Sequence, residues 1–215
     1  MIPFTAVVLH YYDSRKKYLK RILETLQRAE PQEIILWDNS GQNWDAGSLP
    51  GATVITSERN TIMYGLYMAA LLAKTDIVYT QGDDLVMQPE DVKKLVIAAK
   101  LYKGSICGPC GVNVDISAPE PYNTRRPVLK GPCDIMVGRV TAFHKSAIMP
   151  GLAWSIETGT DLGRCDDIIM SMVGRGQAVR VPFESLDEEG IGLSHEPDHF
   201  PERNAMVRRL ARVHA

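Results

Sequence analysis

The sequence predicts an α/β protein, with a mostly parallel sheet flanked by helices and a less regular second half. Three observations predict it. The first hundred residues alternate short apolar runs with amphipathic stretches, making three strand–helix units in succession, and such units build parallel neighbours covered on both faces. Polar clusters follow the strands at 10–13, 38–40 and 81–84, and ligands of open α/β sheets bind beyond the strands' carboxyl ends. The 215 residues are 45% hydrophobic and 23% charged, which excludes a disordered tail, a collagen-like chain or a disulfide scaffold. A chain this long buries a core without staples, and four cysteines fit a reduced compartment.

Residues 5–11 are apolar and β-branched and read as a buried strand. Asp13 and Ser14 offer N-cap oxygens to a helix whose buried stripe is Tyr18, Leu19, Ile22, Leu23, Leu26 and Ala29, with Arg15 and the lysines off it and Pro31 beyond its end. Residues 33–37 are a second strand and 53–56 a third; 60–73 is a helix and 77–80 a fourth strand. Pro89 suits a first helical turn, with Glu90 and Asp91 complementing the dipole, and that helix runs to Leu101. Residues 105–117 read as strand and turn, 119–132 as a proline-rich loop and 134–144 as one alternating strand. Residues 166–173 form a short helix closed by Gly174 and Gly176, 179–183 a last strand, and the remainder a loop plus a basic terminal helix. No linker divides the chain, so it reads as one domain.

Two acidic pairs stand out. Asp83-Asp84 follows the fourth strand. Carboxylates there suit Mn2+ or Mg2+, which bind through one or two carboxylates and substrate phosphates. Alone, the pair also reads as an ordinary turn. Asp166-Asp167 opens a helix, either as a dipole complement or as a carboxylate that faces a reacting carbon or takes an acceptor proton. A third cluster, residues 192–204, contains His195, His199 and Arg203, suited to phosphate oxygens, with a histidine able to complete a metal site.

In order and spacing, these motifs resemble a glycosyltransferase of the GT-A fold, nearest to the exostosin-like family that uses UDP-sugars. His10-Tyr11-Tyr12-Asp13-Ser14-Arg15 is similar to that family's nucleotide-binding start, and Trp37-Asp38-Asn39 to its Trp-Asn-Asn turn. Gln81-Gly82-Asp83-Asp84 sits where the family has Asp-x-Asp, Cys165-Asp166-Asp167-Ile168 matches its Cys-Asp-Asp-Ile, and His195, His199 and Arg203 fall on its His–His–Arg pattern. The resemblance implies that Asp84, with His195, holds the metal and that Asp83 contacts the ribose or the sugar. Tyr12, Asp13, Asp38 and Arg59 would line the nucleotide pocket. Asp167, beside Asp166, would stand at the reaction centre, with His195 and Arg203 on the diphosphate from a closing loop. Residues 1–101 would hold the nucleotide-sugar donor and 102–215 the hydroxyl acceptor. Gly82 in place of the first acid implies one metal carboxylate fewer, and Asp13 replaces an asparagine.

The longest uncharged stretch, 60–73, is too short to cross a bilayer, and the first residues have no signal-peptide pattern. The expectation is a cytoplasmic protein of a microbe or virus-infected cell, with no membrane partner. A net charge of −2 excludes a field steering the whole molecule to nucleic acid. It leaves room for local basic clusters at 15–21, 125–130 and 208–212, read as solvated faces or as contacts to a hydroxymethylated pyrimidine in viral DNA. A saccharide or small molecule is the other acceptor class. Cys107-Gly108-Pro109-Cys110 spells a thioredoxin-like tetrapeptide, but extended chain follows it where that chemistry needs a helix, so the cysteines read as buried or turn residues. A nucleotidyltransferase would need glycines after the first strand, which 10–17 lacks; a non-catalytic nucleotide-sugar-binding module would not need Asp167.

Overall fold

The computed structural model describes residues 2–41, 49–174, 176–186 and 196–213. The elements in order are β1 (Thr5–His10), α1 (Lys16–Arg28), β2 (Glu33–Asp38), β3 (Thr53–Thr56), α2 (Tyr64–Leu72), β4 (Ile77–Gly82), β5 (Leu85–Met87) and α3 (Pro89–Leu101). The second half contains β6 (Ile106–Gly108), β7 (Gly111–Asn113), β8 (Arg126–Pro127), β9 (Lys130–Cys133), β10 (Ile135–Met136), β11 (Val140–His144), α4 (Met149–Thr158) and α5 (Asp166–Val173). It ends with β12 (Gly176–Val179), β13 (Phe183–Ser185) and α6 (His199–Val213).

Among the described residues the main sheet has eight strands, ordered β3-β2-β1-β4-β11-β6-β12-β9. Its four strands from the first half, β1 to β4, are parallel, and β11 then runs antiparallel against both β4 and β6. Alternate side chains of each strand enter opposite layers. Ala6, Val8, Leu36 and Tyr79 pack with Leu19, Ile22 and Leu26 of α1 and Leu95 of α3. Val7, Ile35 and Val78 pack with Leu66 and Ala70 of α2, Ile169 of α5 and Leu210 of α6. Central strands buried on both faces explain why their sequences are continuously apolar.

Several elements depart from the sequence reading. Asp13 and Ser14 do not cap α1: they lie in a 3-10 turn, Asp13–Arg15, and α1 starts after it with no side-chain cap. Arg15, expected off the buried stripe, is 8% exposed. The second helix starts at Tyr64 rather than at residue 60. Asn60 Oδ1 accepts the Ile62 N–H, and Ile62 has φ 48, a local turn that competes with the helix. The run 134–144 is broken at 137–139 into β10 and β11, and the expected strand at 179–183 is split at 180–182, where Pro182 has no N–H to donate. The loop at 119–132 contains β8 and the start of β9, and α4 was not anticipated. Gly174 ends α5 in extended geometry, without a left-handed cap. The Cys107–Cys110 tetrapeptide turns between β6 and β7, and burial, then the nearby Cys133, pushes the Cys107 thiol up to about 12.

Gly65 seats α2 on β2. A Cβ there would lie 2.1 Å from Nε1 of Trp37, whose N–H donates to Asn39 Oδ1 at 3.1 Å. Gly65→Ala is therefore expected to destabilise the fold by about 1–3 kcal/mol, the usual range for overpacking, read as a lower urea midpoint.

Candidate active site

Strand register gathers the first residues of the site. His10 ends β1 opposite Asp38 at the end of β2, and Leu9 lies opposite Gly82 at the end of β4. The Asp83-Asp84 turn thus projects from the same carboxyl edge. Asp83 is 4% exposed. Its Oδ2 lies 2.6 Å from His10 Nδ1 and accepts the Tyr11 N–H at 3.2 Å, and its Oδ1 accepts from Arg15 Nη1 at 3.3 Å. Both oxygens are thereby used to fasten the first loop to the turn. Arg15 also lies 4.8 Å from the Tyr12 ring centre. Burial raises the half-buried Tyr12 phenol above its ordinary pKa, and Arg15 opposes the rise.

Asp84 is turned differently. Its Oδ2 accepts from Arg139 Nη2 at 2.9 Å, with the carboxylate side chain 19% and the arginine 38% exposed. A wet pair of this kind contributes only about 0–1 kcal/mol. The main chain around it is firmly held. Gly82 N–H donates to Arg139 O at 3.2 Å, and Leu186 N–H to Asp84 O at 2.7 Å.

The second acidic pair lies in the first turn of α5, where the helix dipole favours negative charge. Asp167 Oδ2 accepts from Arg203 Nη2 of α6 at 2.7 Å and from Gly138 N–H at 3.3 Å, and Oδ1 accepts from Ile168 N–H at 2.8 Å. Arg203 is 4% exposed, donates Nη1 to Arg164 O at 2.6 Å and stacks 4.2 Å over the Tyr122 ring. Burial works against the charged guanidinium, but Asp167 more than offsets it and holds Arg203 above its ordinary pKa. Tyr67 O–H donates to Asp166 Oδ2 at 2.7 Å. Burial first, then the charge of Asp167, pushes the Asp166 carboxyl up to about 7.

Gly138 and Arg139, in the break between β10 and β11, join the two acidic clusters. Gly138 donates to Asp167 while Arg139 holds Asp84. Asp84 and Arg203 are therefore linked through two consecutive residues and one carboxylate. Of the other residues expected from sequence, Asp38 is fully buried with Oδ1 accepting from Ser40 N–H at 2.9 Å. Among the described residues its Oδ2 has no partner. Asp13 and Arg59 are exposed after β1 and β3. His199, half-buried at the start of α6, has its pKa lowered by burial and then by Arg203. His195 lies outside the described residues.

Sequence reading did not single out Arg139, Gly138, Tyr67 or Tyr122. The glycine inside an otherwise alternating run was the available signal for a break at 138. Tyr122 is positioned by α6, whose Asn204 Oδ1 accepts the Tyr122 N–H at 2.8 Å.

Among the described residues no group of three or more His, Cys, Asp or Glu side chains is arranged to hold a metal ion. Asp84 still fits a hard divalent cation in chemistry. It is a partly exposed carboxylate in a weak pair, and Mg2+ or Mn2+ accepts one protein carboxylate when diphosphate oxygens and water complete its shell.

No protein-family model and no curated protein matches the sequence. Solved structures do match. S. aureus TarS 1-349, in complex with UDP-GlcNAc, is similar at a TM-score of 0.63 and 13% identity over 97% of this chain. GalNAc-T7 with UDP, GalNAc and Mn2+ is similar at 0.61 and 12% over 96%. This chain spans 66% of the first structure and 48% of the second. The fold is thus that of the GT-A glycosyltransferases.

Arg203→Ala leaves the Asp167 charge buried without its partner and is expected to cost about 3–5 kcal/mol in urea denaturation. Asp167→Asn combined with Arg203→Leu is expected to cost less than the two single changes added. Asp166 sets a pH dependence. The folded protein keeps its proton up to about pH 7, whereas the unfolded chain releases it near pH 4. Its contribution is complete below about pH 4 and is lost as pH rises to about 7. Asp166→Asn removes that slope and is expected to gain on the wild type between those limits, read by thermal melts across pH.

Proposed function

We propose that this chain transfers a sugar from a nucleotide-diphosphate sugar, with UDP the favoured nucleotide, to a hydroxyl acceptor. One observation carries the reading. At the carboxyl edge of a GT-A sheet, a partly exposed Asp84 and a buried, ion-paired Asp167 converge on consecutive residues, Gly138 and Arg139. The ligands of the two similar structures, and the five exostosin-like motifs in order, support the UDP-sugar donor.

In this reading residues 1–101 hold the donor, with Tyr12, Asp13, Asp38 and Arg59 around the nucleotide. Asp83 acts indirectly, holding the loop of His10 and Arg15 beside the ribose. Asp84 would hold Mn2+ or Mg2+, joined by His195 if that residue reaches it. Such an ion neutralises charge on the leaving diphosphate. Asp167 faces the acceptor, where its carboxylate receives the hydroxyl proton or stabilises the developing positive charge at the sugar carbon. Arg203 keeps that carboxylate aimed, through the 2.7 Å bond from its Nη2. Its two terminal nitrogens engage Asp167 and the Arg164 carbonyl, so a diphosphate contact from Arg203 requires a rearrangement. Asp166, hydrogen-bonded to Tyr67, backs Asp167 from the protein side.

The acceptor proposal carried from the sequence is a hydroxymethylated pyrimidine of viral DNA. The basic residues behind it are partly committed within the protein. Arg21 pairs with Glu184, Arg125 stacks on Tyr122 and Phe200, Arg208 donates to Pro119 O and Arg209 lies over Trp154. These ties favour a saccharide or small-molecule acceptor as the second reading.

UDP with Mn2+ is expected to raise the melting temperature more than UTP with Mn2+. UDP-sugar turnover is expected to vanish in Asp84→Ala, and in Asp167→Ala transfer should fall by about 10²-fold or more, as for loss of a positioned acid–base group. Mass spectrometry of hydroxymethylated DNA, plain DNA and oligosaccharides after incubation with a panel of nucleotide sugars reads the acceptor. Sugar on none of the DNAs rules out the nucleic-acid acceptor.

A further inference from the structure

Arg139 is a cation placed against the one acid of the Asp83-Asp84 turn that the fold does not consume. Asp83 has His10, Arg15 and the Tyr11 N–H, whereas Asp84 has the Arg139 guanidinium at 2.9 Å. The arginine is anchored at its root and loose at its head. Its carbonyl accepts the Gly82 N–H, and the next residue, Val140, pairs with Gln81 in the sheet. Its side chain is 38% exposed, and its guanidinium otherwise meets Ser185 Oγ at 3.4 Å and the face of Phe183 at 5.5 Å. A head held this lightly can change partner with no movement of the main chain.

The chemistry at that edge supplies the second partner. A diphosphate presents oxygens in the fork geometry that a guanidinium matches in two parallel hydrogen bonds. Arg139 takes Asp84 Oδ2 and leaves Oδ1 to a divalent cation, which would then lie beside the guanidinium, and repulsion between the two positive charges sets them in competition for one carboxylate. Cation alone would therefore weaken the Arg139–Asp84 contact and give the arginine no anion in exchange. Cation arriving with a diphosphate frees Arg139 onto the phosphate oxygens, so each ligand improves the site for the other.

Resting on the sugar-nucleotide reading above, we propose that Arg139 is an exchangeable counter-cation: it occupies Asp84 in the free protein and passes to the leaving diphosphate when metal and donor bind. The pair makes the site nearly neutral when empty, and it couples the metal's arrival to the donor's.

The test uses the full chain as wild type, Arg139→Gln and Asp84→Asn. Mn2+ binding is followed by the loss of free-ion electron paramagnetic resonance signal, without nucleotide and with saturating UDP, beyond the loss that UDP causes in protein-free solution, and UDP-sugar turnover is measured separately. Wild type is expected to bind Mn2+ weakly alone and at least about tenfold more tightly with UDP, a usual size of coupling between sites. In Arg139→Gln, Mn2+ alone binds more tightly than to wild type and the gain from UDP shrinks. Its turnover falls by about 10- to 10³-fold, as when a donor to the transition-state charge is removed. Asp84→Asn loses the site under both conditions. If Arg139→Gln matches wild type in its Mn2+ affinities or in turnover, while wild type binds UDP, this inference alone is wrong. A wild type that binds no UDP removes the UDP-sugar reading, and the inference with it.

Discussion

A charge buried at a helix start must have its counter-charge delivered from elsewhere in the chain, and the Asp167–Arg203 pair is where this molecule meets that demand. Removing two ions from water costs more than their attraction returns unless further hydrogen bonds complete both shells. Here Gly138 N–H and Ile168 N–H complete the carboxylate, and the Arg164 carbonyl and the Tyr122 ring support the guanidinium, whose Nε alone has no hydrogen-bond partner among the described residues. These partners come from the break before β11, from α5, from the turn before α5 and from the 119–125 loop. The pair therefore fixes where α6 docks, how that loop folds and how close the second half lies to the sheet edge. Arginine suits this post because its planar group donates in two directions while stacking on an aromatic face.

The two neighbouring aspartates of the strand-end turn divide the work. Asp83 is spent on architecture and holds the loop after β1 down on the turn after β4. Asp84 keeps a partly wet carboxylate in a weak pair. A buried, fully bonded acid makes the turn rigid, and the rigid turn presents its neighbour's carboxylate without a costly reorganisation when a ligand arrives. Asp166 and Asp167 show a similar division, with Asp166 inward on Tyr67 and Asp167 on Arg203.

Local chemistry was legible in the sequence at two helix starts and was missed at the Asn60 turn, which delays α2. Pro89 with two acids behind it marks the start of α3, and Asp166-Asp167 followed by an apolar run marks α5; both helices occupy the expected residues. The apolar, β-branched runs fixed the parallel strands and so the sheet edge. What escaped at the candidate site was tertiary. Arg15 looks like a surface residue of a basic helix until the register of β1 and β4 puts Asp83 beside it. Arg139 has no motif around it, and its meaning comes from a strand break that alternation concealed. The pairing of Arg203 with Asp167 follows from the docking of α6, which no spacing rule specifies.

The bonds that assemble this edge join residues far apart along the chain: 73 positions for His10 and Asp83, 55 for Asp84 and Arg139, 29 for Gly138 and Asp167, 36 for Asp167 and Arg203. Closing such loops costs entropy before any contact repays it, and chains dominated by distant pairings fold slowly. The helices and the β1–β2 unit can form early from near neighbours, whereas the carboxylates find their partners only when β4, β11 and α6 are all in place. The geometry of the candidate site is therefore expected to arrive with the last steps of folding.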